Sequence, residues 1–453
     1  MTTRSEASAT TPPPHRTPPE SGRFRARLLT GVLRPRTPGE VADEVRAAAA
    51  HGGPPLHPVS TGRNWGLGSR SPVRDDTTLL DLAALDRVRD VDTERGYAVI
   101  EPGVTQGALA ALLQGTARIL NPTGASQHTS VIGNLLERGV GLHRGRADDL
   151  AGLEAVLADG TVVRTGWWPD GGGAAVVQPH GRGPSLNHLL TQSHLAAVTA
   201  AVVRLLPRPA TVRVLPLTFA PHRLAEAVDV LRTWTAQHLV PPNTKVYDPV
   251  AARTYGVEAR YLVHLGLTGD EELVDARARL IAGRAASPGS PFAEAGADAA
   301  DAYVQRAYAG TPDPDDTLFL RKTGHGAHQL DEARGLLMFL PVVSFRGDAV
   351  RRAADRIAAA LSGTTAPPGV TLNVLDADTV DHVVTLGFAA RDPDAVRDAH
   401  RTLDRLHASF AEEGWHPYRP DIDHPAPRSP DDALRHRLEH ALDPAGVFAR
   451  SRY

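Results

Sequence analysis

Apolar and polar positions recur along this chain with two periods, near 3.6 and near 2, and their order sorts it into elements. Val41, Val45 and Ala48 fall on one face of a helix from Val41 to Ala50, opened by Thr37 or Pro38 at its cap. Apolar runs at Thr78–Leu82 and Tyr97–Ile100 predict strands, and a helix follows from Gln106 to Gln114. Asp159-Gly160, after the apolar run Leu153–Ala158, predicts a two-residue hairpin turn. Further on, helices are expected at Leu224–Gln237, Glu271–Ala285, Asp348–Leu361 and Asp394–Glu413. Strands are expected at Arg334–Pro341, Gly369–Leu375 and His382–Phe388. After Pro207-Arg208-Pro209 the composition turns helical and polar, with long Ala, Arg and Asp runs. Strands interleaved with helices make the expected class an α+β layered fold.

Composition narrows this picture. A chain of 453 residues predicts two or three domains. With 42% hydrophobic residues it can bury large cores, and a formal charge of −3 argues against a nucleic-acid binder. The absence of cysteine excludes disulfides, cysteine-ligated metals and any cysteinyl link to a cofactor. The longest apolar run, Leu336 to Val343, falls far short of the ~20 residues that span a bilayer. Residues 1–22, rich in Thr, Pro, Ser and Arg, read as a disordered tail without a signal-peptide core, so the expected location is cytoplasmic.

The chemistry begins in Pro58-Val59-Ser60-Thr61-Gly62-Arg63-Asn64-Trp65-Gly66-Leu67-Gly68-Ser69. Glycine permits positive φ and close backbone approach, so such a loop turns several N–H groups toward one anion. Ser60, Thr61, Asn64 and Ser69 add side-chain donors and Arg63 adds a positive charge, a combination suited to a diphosphate. The loop is neither a Walker loop nor Gly-x-Gly-x-x-Gly. Taken alone, such a loop is more often a tight glycine turn between two elements.

The blocks behind the loop decide between these readings. The chain runs on through Gly96-Tyr97-Ala98-Val99-Ile100-Glu101-Pro102-Gly103-Val104-Thr105, Ile132-Gly133-Asn134, Glu137-Arg138-Gly139-Val140-Gly141 and Gly152-Leu153-Glu154-Ala155-Val156-Leu157-Ala158-Asp159-Gly160. Gly183–Thr199 and Leu442–Ala449 follow. In this order they resemble the vanillyl-alcohol oxidase and 4-cresol dehydrogenase family of flavoproteins, from about residue 34 to the end. The resemblance implies a PCMH-type FAD-binding domain of two subdomains over 23–211, split around a ferredoxin-like cap or substrate domain at 212–413, with a return at 414–453. It implies FAD held by Ser60, Thr61, Gly62, Arg63, Asn64, Gly66, Gly68, Ser69, Thr123, Gly124, Ile132, Gly133 and Asn134, with Val198 beside the adenine. It also implies oxidation of a small phenolic or aryl-alcohol substrate by hydride transfer to flavin N5. No metal, membrane or nucleic-acid partner is expected, a homodimer is left open, and the electron acceptor is oxygen or unknown.

Gly414-Trp415-His416-Pro417-Tyr418-Arg419 matches a family segment whose tyrosine and arginine face the substrate. A guanidinium and a phenolic O–H beside an oxyanion lower the substrate's pKa, so Tyr418 and Arg419 are the expected clamp. The plain alternative has Tyr418 packing and Arg419 paired with Asp421 or Asp423. His128, in a flavin-facing segment, and His382, at a strand start, are the two imidazoles suited to proton transfer. Solvent-facing loops account for His325, His328, His416 and His424. His436 and His440, four apart, lack a third ligand. Leu67 stands where the family carries a phenolate-binding tyrosine, and Leu336 where many members carry the residue linked to FAD, so the flavin is expected to be non-covalent. Two other readings stay open: a 2-hydroxy-acid or other alcohol oxidoreductase, with Arg419 on a carboxylate, and a flavin-fold protein without redox turnover.

Overall fold

The computed structural model describes residues 15–453 apart from 64, 170–177, 179, 181–182, 243, 297–301, 314–315, 363–368 and 451. Three sheets carry the architecture. The first takes its strands in the order His15–Arg16, Leu28–Leu33, Thr77–Asp81, Leu56–Val59, the last three parallel. Helix Pro38–His51 lies between two of them in sequence. Thr37 is its N-cap, accepting from Glu40 N at 3.2 Å with Pro38 just inside the helix, a cap that typically contributes about 1 kcal/mol. Val41 and Val45 on its inner face are fully buried beside Leu56 and Leu80.

The second sheet is antiparallel: Val88–Asp92, Tyr97–Ile100, Ala196–Arg204, Leu150–Leu157, Val162–Gly166. Its last pair is the expected hairpin, with Gly160 at φ 81° and Asp159 Oδ1 accepting from Thr161 N at 2.8 Å. The third is an eight-stranded antiparallel sheet with helices Leu224–Ala236, Glu271–Ala285, Gly347–Ala360 and Pro393–Ala411 packed against it around Phe219, Val263, Leu337 and Phe410. The class is α+β.

Two expectations fail here. The stretch after Pro209 does not open as helix: Thr211–Phe219 and Tyr261–Gly269 are nine-residue strands paired along their whole length. Pro216 inside the first speaks against a strand on local grounds. The second is buried on both faces and so shows no alternation. The expected disordered tail also fails for residues 16–22. Thr17 and Ser21 are buried, Ser21 N donates to Asp331 Oδ1 at 3.1 Å, and Ser21 O accepts from Leu336 N at 2.8 Å. Residues 1–14 lie outside the described residues. Among the described residues no helix is long and apolar enough to cross a membrane.

Candidate functional site

The loop after strand Leu56–Val59 divides into two halves with different partners. Ser60, Thr61, Gly62 and Arg63 line a cleft holding about 1270 Å³ of empty space, open mouth included. Gly66 and Gly68 instead seat the loop on other segments. Gly66 has φ 81°, and its O accepts from Met338 N at 3.0 Å. A Cβ there would lie 3.0 Å from that nitrogen and 2.9 Å from Met338 Cγ. A Cβ on Gly68 would meet Ile422 at 2.6 Å. Asn64 lies outside the described residues. Arg63, expected at the diphosphate, donates to Ala327 O at 3.0 Å and bonds His328 Nδ1 at 3.1 Å, so the cap holds its guanidinium.

Across the cleft stands the short helix Val131–Leu136. Ser130 caps it, Oγ accepting from Gly133 N at 3.0 Å and donating to Pro102 O at 2.7 Å. A Cβ on Gly133 would come within 2.5 Å of Ser60 Oγ, so glycine brings helix and loop together. Ile132, Gly133, Asn134 and Val198 line the cleft. Thr123 and Gly124 do not: Thr123 N donates to the buried Gln106 Oε1 at 3.0 Å, and the Cβ direction of Gly124 meets open space.

Among the described residues, four buried polar atoms on the cleft wall have no partner: His57 Nε2, Thr61 Oγ1, Thr129 Oγ1 and Asn134 Oδ1. An unpaired buried group costs about 1–3 kcal/mol, so four of them around one cavity mark a wall built for a polar guest. The residues fit a dinucleotide such as FAD, with two hydroxyls, an amide and an imidazole on one rim. Burial lowers the His57 pKa to about 4, which keeps it neutral.

Sequence reasoning missed the floor of the cleft. Arg452 donates to Ser69 Oγ at 2.8 Å and Leu67 O at 3.3 Å, and pairs with Glu137 Oε2 at 2.7 Å. Tyr453 also donates to Glu137. Burial alone would raise the Glu137 carboxyl; Arg452, Arg419 and Tyr453 outweigh it and hold it below its ordinary value. No local signal marks Arg452, because its partners lie more than 300 positions away.

Arg419 meets neither Asp421 nor Asp423. Its Nε donates to Glu137 O at 3.0 Å, and its second terminal nitrogen to Glu137 O at 2.8 Å and Asn134 O at 3.4 Å. It thus satisfies carbonyls at the C-terminal end of helix Val131–Leu136, where a cation is favoured. Tyr418 is tied in by its backbone: its N donates to Leu340 O at 3.2 Å, and Gln192, on the cleft wall, donates to Tyr418 O at 2.7 Å.

Beside Tyr418 the cap carries a buried ionisable set. Burial is the first cause of each shift, and Asp381 and Tyr418 feel one another directly. The Tyr418 phenol rises to about 12, Asp381 to about 6, and Lys245 falls to about 8. Lys245 Nζ reaches Asn373 Oδ1, and Asn373 N donates to Asp381 Oδ1 at 3.2 Å. His382, expected to serve in proton transfer, does not join this set. It follows Asp381 on the strand and so points to the opposite, apolar face, 1% exposed, with neither ring nitrogen partnered among the described residues and its pKa lowered to about 4 by burial. His128 stands apart. Its side chain is 36% exposed, its ring is edge-on to His328 at 4.5 Å, and Nε2 is 4.0 Å from Asp316. Burial lowers its pKa despite Asp316.

An FAD binding domain model matches residues 29–166. Over 227 residues the chain is 37% identical to 1'-carboxy-chondrochloren decarboxylase of Chondromyces crocatus, a match spanning 49% of this chain and 42% of that protein. It is 24% identical over 443 residues to the 4-cresol dehydrogenase [hydroxylating] flavoprotein subunit of Pseudomonas putida, covering 88% of this chain and 82% of the relative. The crystal structure of p-cresol methylhydroxylase with substrate bound superposes with a TM-score of 0.83 at 23% identity, over 94% of this chain and 89% of the other. The chain carries an FAD-binding domain in the fold of the PCMH flavoproteins, and its cofactor is FAD.

Proposed function

We propose that this protein oxidises a small phenolic or aryl-alcohol substrate with non-covalently held FAD, at a site where the cleft meets the cap sheet. One observation carries the reading: the segment bearing Tyr418 and Arg419 is bonded to the cleft wall through Gln192 and Glu137 and also faces the cap's buried ionisable set. Buried titratable groups with opposed shifts are characteristic of functional sites.

FAD bound in the cleft supplies a two-electron acceptor for substrate oxidation. Ser60, Thr61, Thr129 and Asn134 would bond its polar groups, with Val198 and Ile132 against its apolar parts. Tyr418, held protonated at neutral pH, is a hydrogen-bond donor toward a substrate oxyanion. Arg419 contributes its positive field beside that phenol while its N–H groups hold the short helix. Lys245 near 8 and Asp381 near 6 bracket neutral pH, the range in which a group both accepts and returns a proton efficiently.

A second reading, a substrate bearing a carboxylate, gains weight from two observations. Leu67 is buried and contributes only its carbonyl, so the loop gives no hydroxyl to a phenolate. Lys245 adds a second cation near the site, and one relative is named a decarboxylase. Anaerobic bleaching of the flavin by a panel of para-substituted phenols, aryl alcohols, aryl acids and 2-hydroxy acids separates the two. A flavin that dithionite reduces but no member of the panel does would sink both.

A further inference from the structure

We propose that His407, Asp421 and His424 form a binding site for a single zinc-class transition-metal ion, which staples the cap helix to the segment returning to the FAD domain. His407 lies on helix Pro393–Ala411, and Asp421 and His424 lie just beyond the Tyr418-Arg419 segment. The three offer His407 Nε2, His424 Nδ1 and an Asp421 carboxylate oxygen within 4.8 Å of one another. His407 Nε2 is 3.1 Å from Asp421 Oδ2 and His424 Nδ1 is 3.0 Å from it. Two ligands bound tetrahedrally to zinc at ~2.0–2.1 Å stand roughly 3.3 Å apart, close to both of these separations. The imidazole rings lie parallel with centroids 3.8 Å apart, so one ring turns about its χ2 to bring both lone pairs onto one ion.

A second observation points the same way. The far nitrogen of His424, Nε2, is 3.0 Å from Asp404 Oδ1. Histidine ligands almost always donate their other N–H to a carboxylate, which fixes the tautomer with the inner nitrogen bare. Asp404 is therefore a positioning residue. Two imidazoles and one carboxylate suit a borderline metal rather than calcium or magnesium, which take oxygen ligands. The side chains of His407 and His424 are 16% and 23% exposed, leaving a water-accessible fourth position. The ion's place would matter to the flavin site. Ile422, between the ligands, donates its N to Leu67 O at 3.2 Å, and Arg27 pairs with Asp423 at 2.6 Å.

The test is isothermal titration of EDTA-treated full-length protein with ZnCl2, followed by Co2+ substitution and its visible ligand-field spectrum. The expected result is about one ion per chain, with a four-coordinate Co2+ spectrum. Binding should be lost in His407→Gln and in His424→Gln and weakened ~10–100-fold in Asp404→Asn. His436→Gln should bind as the unaltered protein does. No stoichiometric binding, or binding unchanged by both ligand substitutions, overturns the proposal. If either glutamine variant fails to fold, Asp404→Asn and the Co2+ spectrum of the unaltered protein decide it. An octahedral all-oxygen spectrum with unchanged Asp404→Asn affinity is a refutation.

Discussion

Arg452 donates to Ser69 Oγ at 2.8 Å across 383 positions of sequence, locking the end of the glycine loop to the floor of the flavin cleft. The same guanidinium neutralises Glu137, whose carboxylate also takes Tyr453 and faces Arg419. Removing one partner of such a pair leaves an uncompensated charge, which costs more than the pair contributes when intact. Arg452→Ala should lower stability by about 3 kcal/mol and reduce the flavin retained on purification. The ratio of flavin to protein absorbance and a thermal melt measure both. A variant with full flavin content and an unchanged melt would show that the floor is dispensable.

Gly66→Ala tests the other half of the loop. The new Cβ must sit at φ 81° against the backbone of strand Gly335–Phe339. Strain of this kind costs about 1–3 kcal/mol, and here it pries the loop from the cap. A lower melting temperature with increased proteolysis near residue 66 is expected.

His382 separates packing from chemistry. With both nitrogens buried and unpartnered, the imidazole is a burden on the fold. On the apolar face of the cap sheet, His382→Leu should leave stability within about 1 kcal/mol or raise it, with substrate-driven flavin reduction unchanged. A large loss of flavin reduction at unchanged stability would instead place the ring in the chemistry.

Asp381 sets a pH dependence whose sign is fixed. Burial first, against the pull of Lys245, raises its carboxyl from 3.8 to about 6. A raised pKa means the folded state holds the proton more tightly. The contribution is therefore full below about pH 4 and lost as pH rises through about 6. Asp381→Asn should remove this loss, so that unaltered protein falls relative to the variant by up to about 3 kcal/mol across that window. Paired chemical denaturation curves at pH 4, 5, 6 and 7 read the difference.

Leu336 bears on the flavin link. It is 3% exposed and packs with Trp65, Ala327 and Leu330, so it presents no nucleophile at the position where the resemblance implies a flavin link. Acid precipitation should release the flavin into the supernatant, read by its absorbance and fluorescence. Flavin retained in the pellet would require another attachment residue.

Most helices and several strands were legible because they rest on local rules. Glu271–Ala285 and Tyr97–Ile100 begin and end where periodicity places them, and Thr37 caps its helix as its type demands. The glycine loop was legible as a turn, since positive φ at Gly62, Gly66 and Gly68 depends on the residue itself. Local rules failed where a neighbour overrides them. Pro216 sits within a strand whose partner, Tyr261–Gly269, supplies the ladder, and residues 16–22 are ordered only by what they dock against.

The flavin site divides in the same way. Sequence alone determined the glycine loop on the cleft and the absence of cysteine chemistry, and it singled out the segment Tyr418-Arg419. Only the tertiary structure decided that Arg63 goes to the cap, that Arg452 supplies the buried cation, and that Asp381 lies beside Lys245 and Tyr418 while His382 faces the apolar core. The physical reason is range. Backbone conformation and periodicity act over a few residues, whereas charge pairing and desolvation depend on what the fold brings within a few ångströms.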